Sequence, residues 1–221
     1  MNARRLMVLG GGGSQVPLLT RARREGIHVI LVDGAADPPG RAHCDTFVQV
    51  STFDAEGVTD AVRETRPDGV AVVGTDQPVL SAAIACDRTG VDYPLTPDIA
   101  RAVTNKAVMK DRCRANGLPV PPSVLVGMDL AEAELARLDP PYVVKPVDSQ
   151  GQRGVSFCRT VREVRAAIPN AFAWSRQDRV LVEQYVPSSE VTVTGWVTDG
   201  KLEILTITDR VTMPADTALG V

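Results

Sequence analysis

Through its first half the chain alternates short apolar runs with amphipathic stretches, and few folds accommodate that pattern. Leu6 to Leu9, His28 to Val32, Phe47 to Val50 and Gly69 to Val73 read as strands. Residues 15–25, 55–65 and 78–88 read as helices between them, the first stopped by Gly26. Strands this short, joined by crossover helices, predict a parallel sheet covered on both faces. Thr96-Pro97-Asp98 has the chemistry of a helix start: a capping hydroxyl, a proline at the first helical position, and an acid at the positive dipole end. One more helix is expected from Asn105-Lys106 to Asn116-Gly117.

The pattern changes after Leu118. Pro119, Pro121 and Pro122 cannot continue a helix and favour extended chain, so a domain boundary is expected there. Residues 1–118 then form a Rossmann-like domain with a linker helix, and residues 119–221 a second domain of α+β type. In the second, residues 124–126, 142–145, 155–158 and 180–183 read as strands, with helices near 130–138 and 161–168. Two further apolar runs, Val191 to Val197 and Leu202 to Ile207, flank Thr198-Asp199-Gly200-Lys201, a strong hairpin signal. The fold class expected is α/β: a parallel-sheet domain followed by an incomplete α+β domain.

Composition narrows the function. The chain has 221 residues, 44% of them hydrophobic, and a formal net charge of -3. Mixed charges near neutrality argue against an electrostatic grip on nucleic acid or an anionic membrane. The cysteines, at 44, 86, 113 and 158, show neither zinc nor dithiol spacing and read as small core residues. His28 and His43 have no partner pattern in the sequence that would make them catalytic. No apolar run approaches the ~18 residues of a membrane span, and Leu6 to Leu9 is too short for a secretory signal. A cytoplasmic protein is expected.

Two glycine-rich segments compete as ligand sites. Gly10 to Gly13 follows a strand and precedes a helix, and Asp33 ends the next strand, which invites a dinucleotide reading. A tight turn requiring positive φ explains the same glycines without a ligand. Thr75-Asp76 follows the fourth strand at the edge where open α/β sheets bind ligands.

The second segment is more telling. Val143-Val144-Lys145-Pro146 ends an apolar run on an ammonium whose stem is expected to be buried, which demands an anion nearby. The loop from Ser149 through Gly151 and Arg153 to Gly154 offers backbone N–H groups and a cation for a polyphosphate. Val180 to Glu183, then Gln184, Tyr185 and Val186, and Glu190 beyond them, form a strand end that suits a base and a ribose. An internal salt bridge of Lys145 and a plain hairpin loop are the competing readings.

In this order the segments resemble the ATP-grasp superfamily, in its biotin carboxylase-like or carboxylate–amine ligase branch. The resemblance implies ATP and Mg2+ as cofactors and a small-molecule carboxylate as substrate, with a homodimer possible. It implies that Lys106 touches phosphate, that Lys145 binds the α-phosphate beside the adenine, and that Ser149, Gly151, Arg153 and Gly154 belong to a phosphate lid. Glu183, Gln184, Tyr185 and Val186 would be the adenine hinge, acting through main chain, and Glu190 the ribose acid. Family members phosphorylate a carboxylate and let an amine or similar nucleophile attack the acyl phosphate. Their metal ligands and acyl-phosphate arginine lie C-terminal to the hinge, so no metal ligand or catalytic residue is assigned here. The chain alone is expected to turn over little. Two alternatives stay open: a non-catalytic ATP-binding module, and an NAD-linked oxidoreductase built on Gly10 to Gly13.

Overall fold

The computed structural model describes residues 4–211, and the chain divides into two compact units, Met1–Arg112 and Cys113–Val221. The first unit contains β1 (Arg5–Leu9), α1 (Val16–Arg24), β2 (His28–Asp33), β3 (Thr46–Gln49), α2 (Ala55–Thr65), β4 (Gly69–Ala71), α3 (Val79–Thr89), α4 (Pro97–Thr104) and most of α5 (Lys106–Ala115). Its four strands are parallel in the order β3-β2-β1-β4.

Both faces of that sheet are covered, as the alternation requires. Met7, Leu9, Ile30 and Val32 pack with Val58, Val62, Ala82 and Cys86 of α2 and α3. Val8, Val29 and Leu31, on the opposite face by the two-residue period of a strand, pack with Leu19 and Ala22 of α1. The cap expected at Thr96 forms, its hydroxyl accepting from Ile99 N–H at 3.4 Å. Asp54 caps α2 in the same way, its carboxylate accepting from Gly57 N–H at 3.1 Å. Residues 39–43 form a turn of 3-10 helix. One expectation needs correction: β4 is two residues shorter than its apolar run because Val72 and Val73 leave the ladder before Gly74, where φ is +68°.

In the second unit lie β5 (Ser123–Val126), β6 (Tyr142–Pro146), β7 (Ser156–Cys158), α6 (Val161–Ala173), β8 (Val180–Gln184), β9 (Val191–Thr198) and β10 (Lys201–Asp209). A four-stranded antiparallel sheet runs β5-β8-β6-β7. Tyr142, Val144, Val180 and Val182 face Val164, Ile168 and Ala171 of α6. The helix does not stop at Ile168 but runs through Pro169 to Ala173. A proline inside a helix costs about 3 kcal/mol; the continuing buried stripe through Ala171 offsets that cost. The helix expected near 130–138 is only a short 3-10 turn, Glu132–Leu135, where the Glu134 carboxylate reaches back to Ala131 N–H at 2.8 Å. Pro140 and Pro141 follow too closely for another turn of helix.

β9 and β10 form a separate two-stranded ribbon, turned by Asp199 and Gly200 at φ of 49° and 74°. Its register places Val193, Val197, Leu202 and Ile207 on one face and threonines with Trp196 on the other, and every residue of both strands is exposed.

Burial fixes the chemistry of two thiols. Cys86 and Cys158 are enclosed, and desolvation pushes each thiol up to about 11. A thiol held neutral in the folded chain but free to ionise when unfolded contributes its full stability only below the unfolded value of 9.0. Stability is therefore expected to fall as pH rises from about 9 toward 11. A Cys86→Ala/Cys158→Ala double variant should show a shallower decline in urea midpoint over that window.

Close packing also makes one glycine obligatory. A Cβ on Gly40 would stand 2.7 Å from Leu19 Cδ1 and 3.0 Å from the Gly11 backbone. Gly40→Ala should destabilise the protein by about 1–3 kcal/mol, read as a lowered urea midpoint with an unchanged m-value.

Candidate functional site

The site grows out of the β6–β8 ladder. Lys145 lies opposite Leu181, and Glu183 opposite Val143, so the two charged residues share one sheet face, diagonal to each other. That face is the one turned away from α6. The ammonium and carboxylate are joined in an ion pair, with side chains only 19% and 10% exposed. The expected anion beside Lys145 is thus an internal one, Glu183. A partly buried pair loses hydration on both sides, and removing one member strands the other.

From β6 the chain enters the glycine loop, and the loop is anchored at both ends. The Asp148 carboxylate accepts from the Ser175 hydroxyl at 2.8 Å and from Arg176 N–H at 3.0 Å. Ser149 is buried. Gly151, Gln152 and Gly154 take left-handed φ of 64°, 60° and 71°. Gly154 packs under Trp174: a Cβ there would stand 3.0 Å from its Cδ1. The Arg153 guanidinium sits over the same indole, 5.6 Å from the ring centroid. Sequence reasoning missed Trp174 and the anchoring role of Asp148. A lone tryptophan after an amphipathic helix carries no signal that it will meet a loop well upstream.

At the hinge, Gln184 N–H donates to Pro122 O at 2.9 Å and Tyr185 N–H to Pro141 O at 2.8 Å. Both donors serve the fold, while Val186 N–H donates to no acceptor among the described residues. The Tyr185 ring meets Phe157 edge-on, centroids 5.1 Å apart. Glu190 lies beyond the hinge against Arg210, with carboxylate and guanidinium 3.8 Å apart. Lys106 opens α5 in the other unit. Lys145, Glu183, the loop and the hinge therefore converge on one sheet, whereas Glu190 sits at the root of the ribbon. Among the described residues no cluster of three His, Cys, Asp or Glu could hold a metal ion.

The other glycine segment is structural in large part. The Asp33 carboxylate accepts from Gly11 N–H and from Ala35 N–H, each at 2.7 Å. Gln15, buried, donates to Val73 O at 2.5 Å and ties the loop to the end of β4. A Cβ on Gly11 would stand 3.0 Å from Pro38. His28 and His43 meet the hydroxyls of Thr46 and Thr20, at 2.9 and 3.4 Å.

A parallel α/β unit followed by an antiparallel sheet with a lysine strand, a glycine loop and a hinge is the architecture of ATP-grasp ligases, and the motif resemblance is borne out. Residues 114–215 match the family model described as D-ala D-ala ligase C-terminus. The chain is 30% identical over 216 residues to carbamoyl phosphate synthase large chain of Pyrobaculum aerophilum, an alignment covering 84% of this chain and 20% of that one. It is 27% identical over 192 residues to formate-dependent phosphoribosylglycinamide formyltransferase of Burkholderia vietnamiensis, covering 84% of this chain and 47% of that protein. Among solved structures, L-amino acid ligase from Bacillus licheniformis superposes with a TM-score of 0.75 at 22% identity, over 95% of this chain and 51% of the other. The chain thus spans about half or less of the length of these proteins. No helix among the described residues is long and apolar enough to cross a membrane.

The ion pair makes a direct prediction. Glu183→Ala should destabilise by about 3–5 kcal/mol, because the Lys145 ammonium is left without its carboxylate. Lys145→Met/Glu183→Leu should recover most of that loss in urea denaturation. Additive single-variant costs in this cycle would mean that the two side chains do not interact.

Proposed function

We propose that this chain carries the nucleotide-binding part of an ATP-dependent ligase, one that activates a carboxylate as an acyl phosphate for attack by an amine or similar nucleophile. The observation that carries the reading is the Lys145–Glu183 pair, held on the face of the β6–β8 ladder turned away from α6, beside an anchored glycine loop. An ammonium poised against a carboxylate can take a phosphate oxygen as its second anion, with Glu183 keeping it aimed.

The residues present fit ATP. Lys145 would meet the α-phosphate. The loop N–H groups from Ser149 to Gly154, with Arg153, suit the distal phosphates. Val186 N–H is the hinge donor left for an adenine edge, while Gln184 and Tyr185 hold the hinge backbone in place. Glu190 is proposed for the ribose hydroxyls and Lys106 for phosphate, both on the motif resemblance alone. Bound ATP supplies the γ-phosphoryl group that converts a carboxylate into a reactive acyl phosphate. This chain's residues bind and orient the triphosphate and shield it from water. The described residues offer no acidic cluster for Mg2+, so no step is assigned to a protein-bound metal.

The relatives' names point the same way: carbamoyl phosphate, formate and amino acids are each a small acid or the derivative of one. A small carboxylate is proposed as substrate on that ground. The NAD-linked reading is weakened by Asp33, whose two carboxylate oxygens already accept from Gly11 N–H and Ala35 N–H.

Calorimetric titration with the ATP analogue AMP-PNP tests the proposal on wild type and Lys145→Ala. Saturable binding is expected, weakened at least about tenfold in the variant, which corresponds to ~1.4 kcal/mol. Equal affinities would remove Lys145 from the site. Tight NAD binding without AMP-PNP binding would move the nucleotide site to the first unit.

A further inference from the structure

We propose that Trp174 is a latch for the glycine loop: a positioning residue that holds Arg153 and Gly154 against the end of α6 and releases Arg153 when a polyphosphate binds. The latch rests on the ATP reading and adds to it a device within the second unit that the motif resemblance does not supply.

Three observations meet at this indole. It is 45% exposed although large and apolar, so core burial does not account for its place. Gly154 fits beneath it only because residue 154 has no side chain: an added Cβ would meet Trp174 at 3.0 and 3.1 Å and Pro146 at 3.2 Å. The guanidinium of Arg153 lies over its ring, and Arg153 makes no ion pair among the described residues. Asp148 meanwhile pins the start of the loop to Ser175 and Arg176, the residues that follow Trp174. One helix end therefore holds both stems of the loop, by hydrogen bonds at one and by an aromatic face at the other.

The two attachments differ in strength, and that difference gives the direction of change. The Asp148 carboxylate accepts charge-assisted bonds from two separate donors, the Ser175 hydroxyl and Arg176 N–H. A guanidinium over an exposed ring is one of the weaker contacts a cation makes, and a phosphate oxygen outcompetes it. Binding of a triphosphate should thus draw Arg153 off Trp174 while Asp148 stays fixed. Gly151 and Gln152, both at left-handed φ, lie between the two anchors, where the backbone has to turn. Gln152 adopts that conformation without the freedom of glycine, so movement there also relieves strain.

The chain has two tryptophans, so Trp196→Phe on the exposed ribbon leaves Trp174 as the sole tryptophan. In that background we expect AMP-PNP to shift Trp174 emission, with a midpoint equal to the calorimetric Kd, and adenosine to leave it unchanged. Arg153→Ala should abolish the shift and weaken AMP-PNP but not adenosine; Arg153→Lys should preserve part of both effects. Trp174→Ala, with unchanged circular dichroism, should tighten AMP-PNP about two- to fivefold by removing the competing contact, and Trp174→Phe should fall between. Unchanged emission at saturating AMP-PNP, with binding recorded by calorimetry, would overturn the latch and leave the ATP reading standing. Weaker AMP-PNP binding by Trp174→Ala would do the same. No heat with AMP-PNP in wild type would sink the ATP reading itself, and the latch with it.

Discussion

A lysine ammonium that has left most of its water behind needs a fixed negative charge within reach, and in this chain that need organises the second unit. Lys145 is on β6 and Glu183 on β8, far apart in sequence, and only antiparallel pairing with this register brings them to one face. A slip of one residue would turn one member of the pair toward α6, where Val144, Val182 and Ile168 leave no polar partner. The pair is thus a register lock as well as a candidate phosphate site. Both roles follow from the same cost of burying charge.

The two glycine-rich segments look alike in sequence and differ in physics. Around Gly11 the glycines allow backbone to touch backbone: Gly40 N–H donates to Gly11 O at 2.7 Å, and neither position has room for a Cβ. Two of the donors there are taken, Gly10 N–H by Val32 O and Gly11 N–H by Asp33. In the loop after β6, a Cβ on Gly151 would meet nothing within 4 Å, and only Gly154 is pressed, by side chains rather than by backbone. The first loop is packed tightly at Gly11, against Pro38, Leu31 and Gly40. The second is held at its stems and open at its crest, which is the arrangement a ligand-binding loop requires.

Much of the fold could be read from residue pattern alone. The parallel sheet, the hairpin at Asp199-Gly200, the cap at Thr96 and the strand ending on Lys145 all follow from local chemistry. Element ends were harder. β4 stops early, since leaving the sheet depends on what Gly74 must turn around, and α6 outruns Pro169, since a buried stripe outweighs one lost hydrogen bond. The segment near 130–138 has helical composition but only enough chain for a 3-10 turn before Pro140.

The sequence by itself determined which residues carry charge, freedom of backbone and apolar period, and hence the sheet types, the glycine loop and the short list of site residues. Only tertiary structure decided their partners. That Lys145 would meet Glu183, that Gln184 and Tyr185 would give their N–H groups to Pro122 and Pro141, and that Trp174 would cap the loop all depend on residues brought together across strand pairings and around a helix end. Local preference is set by each residue's own side chain and neighbours in the chain. Partnership is set by register and packing, which are properties of the whole sheet.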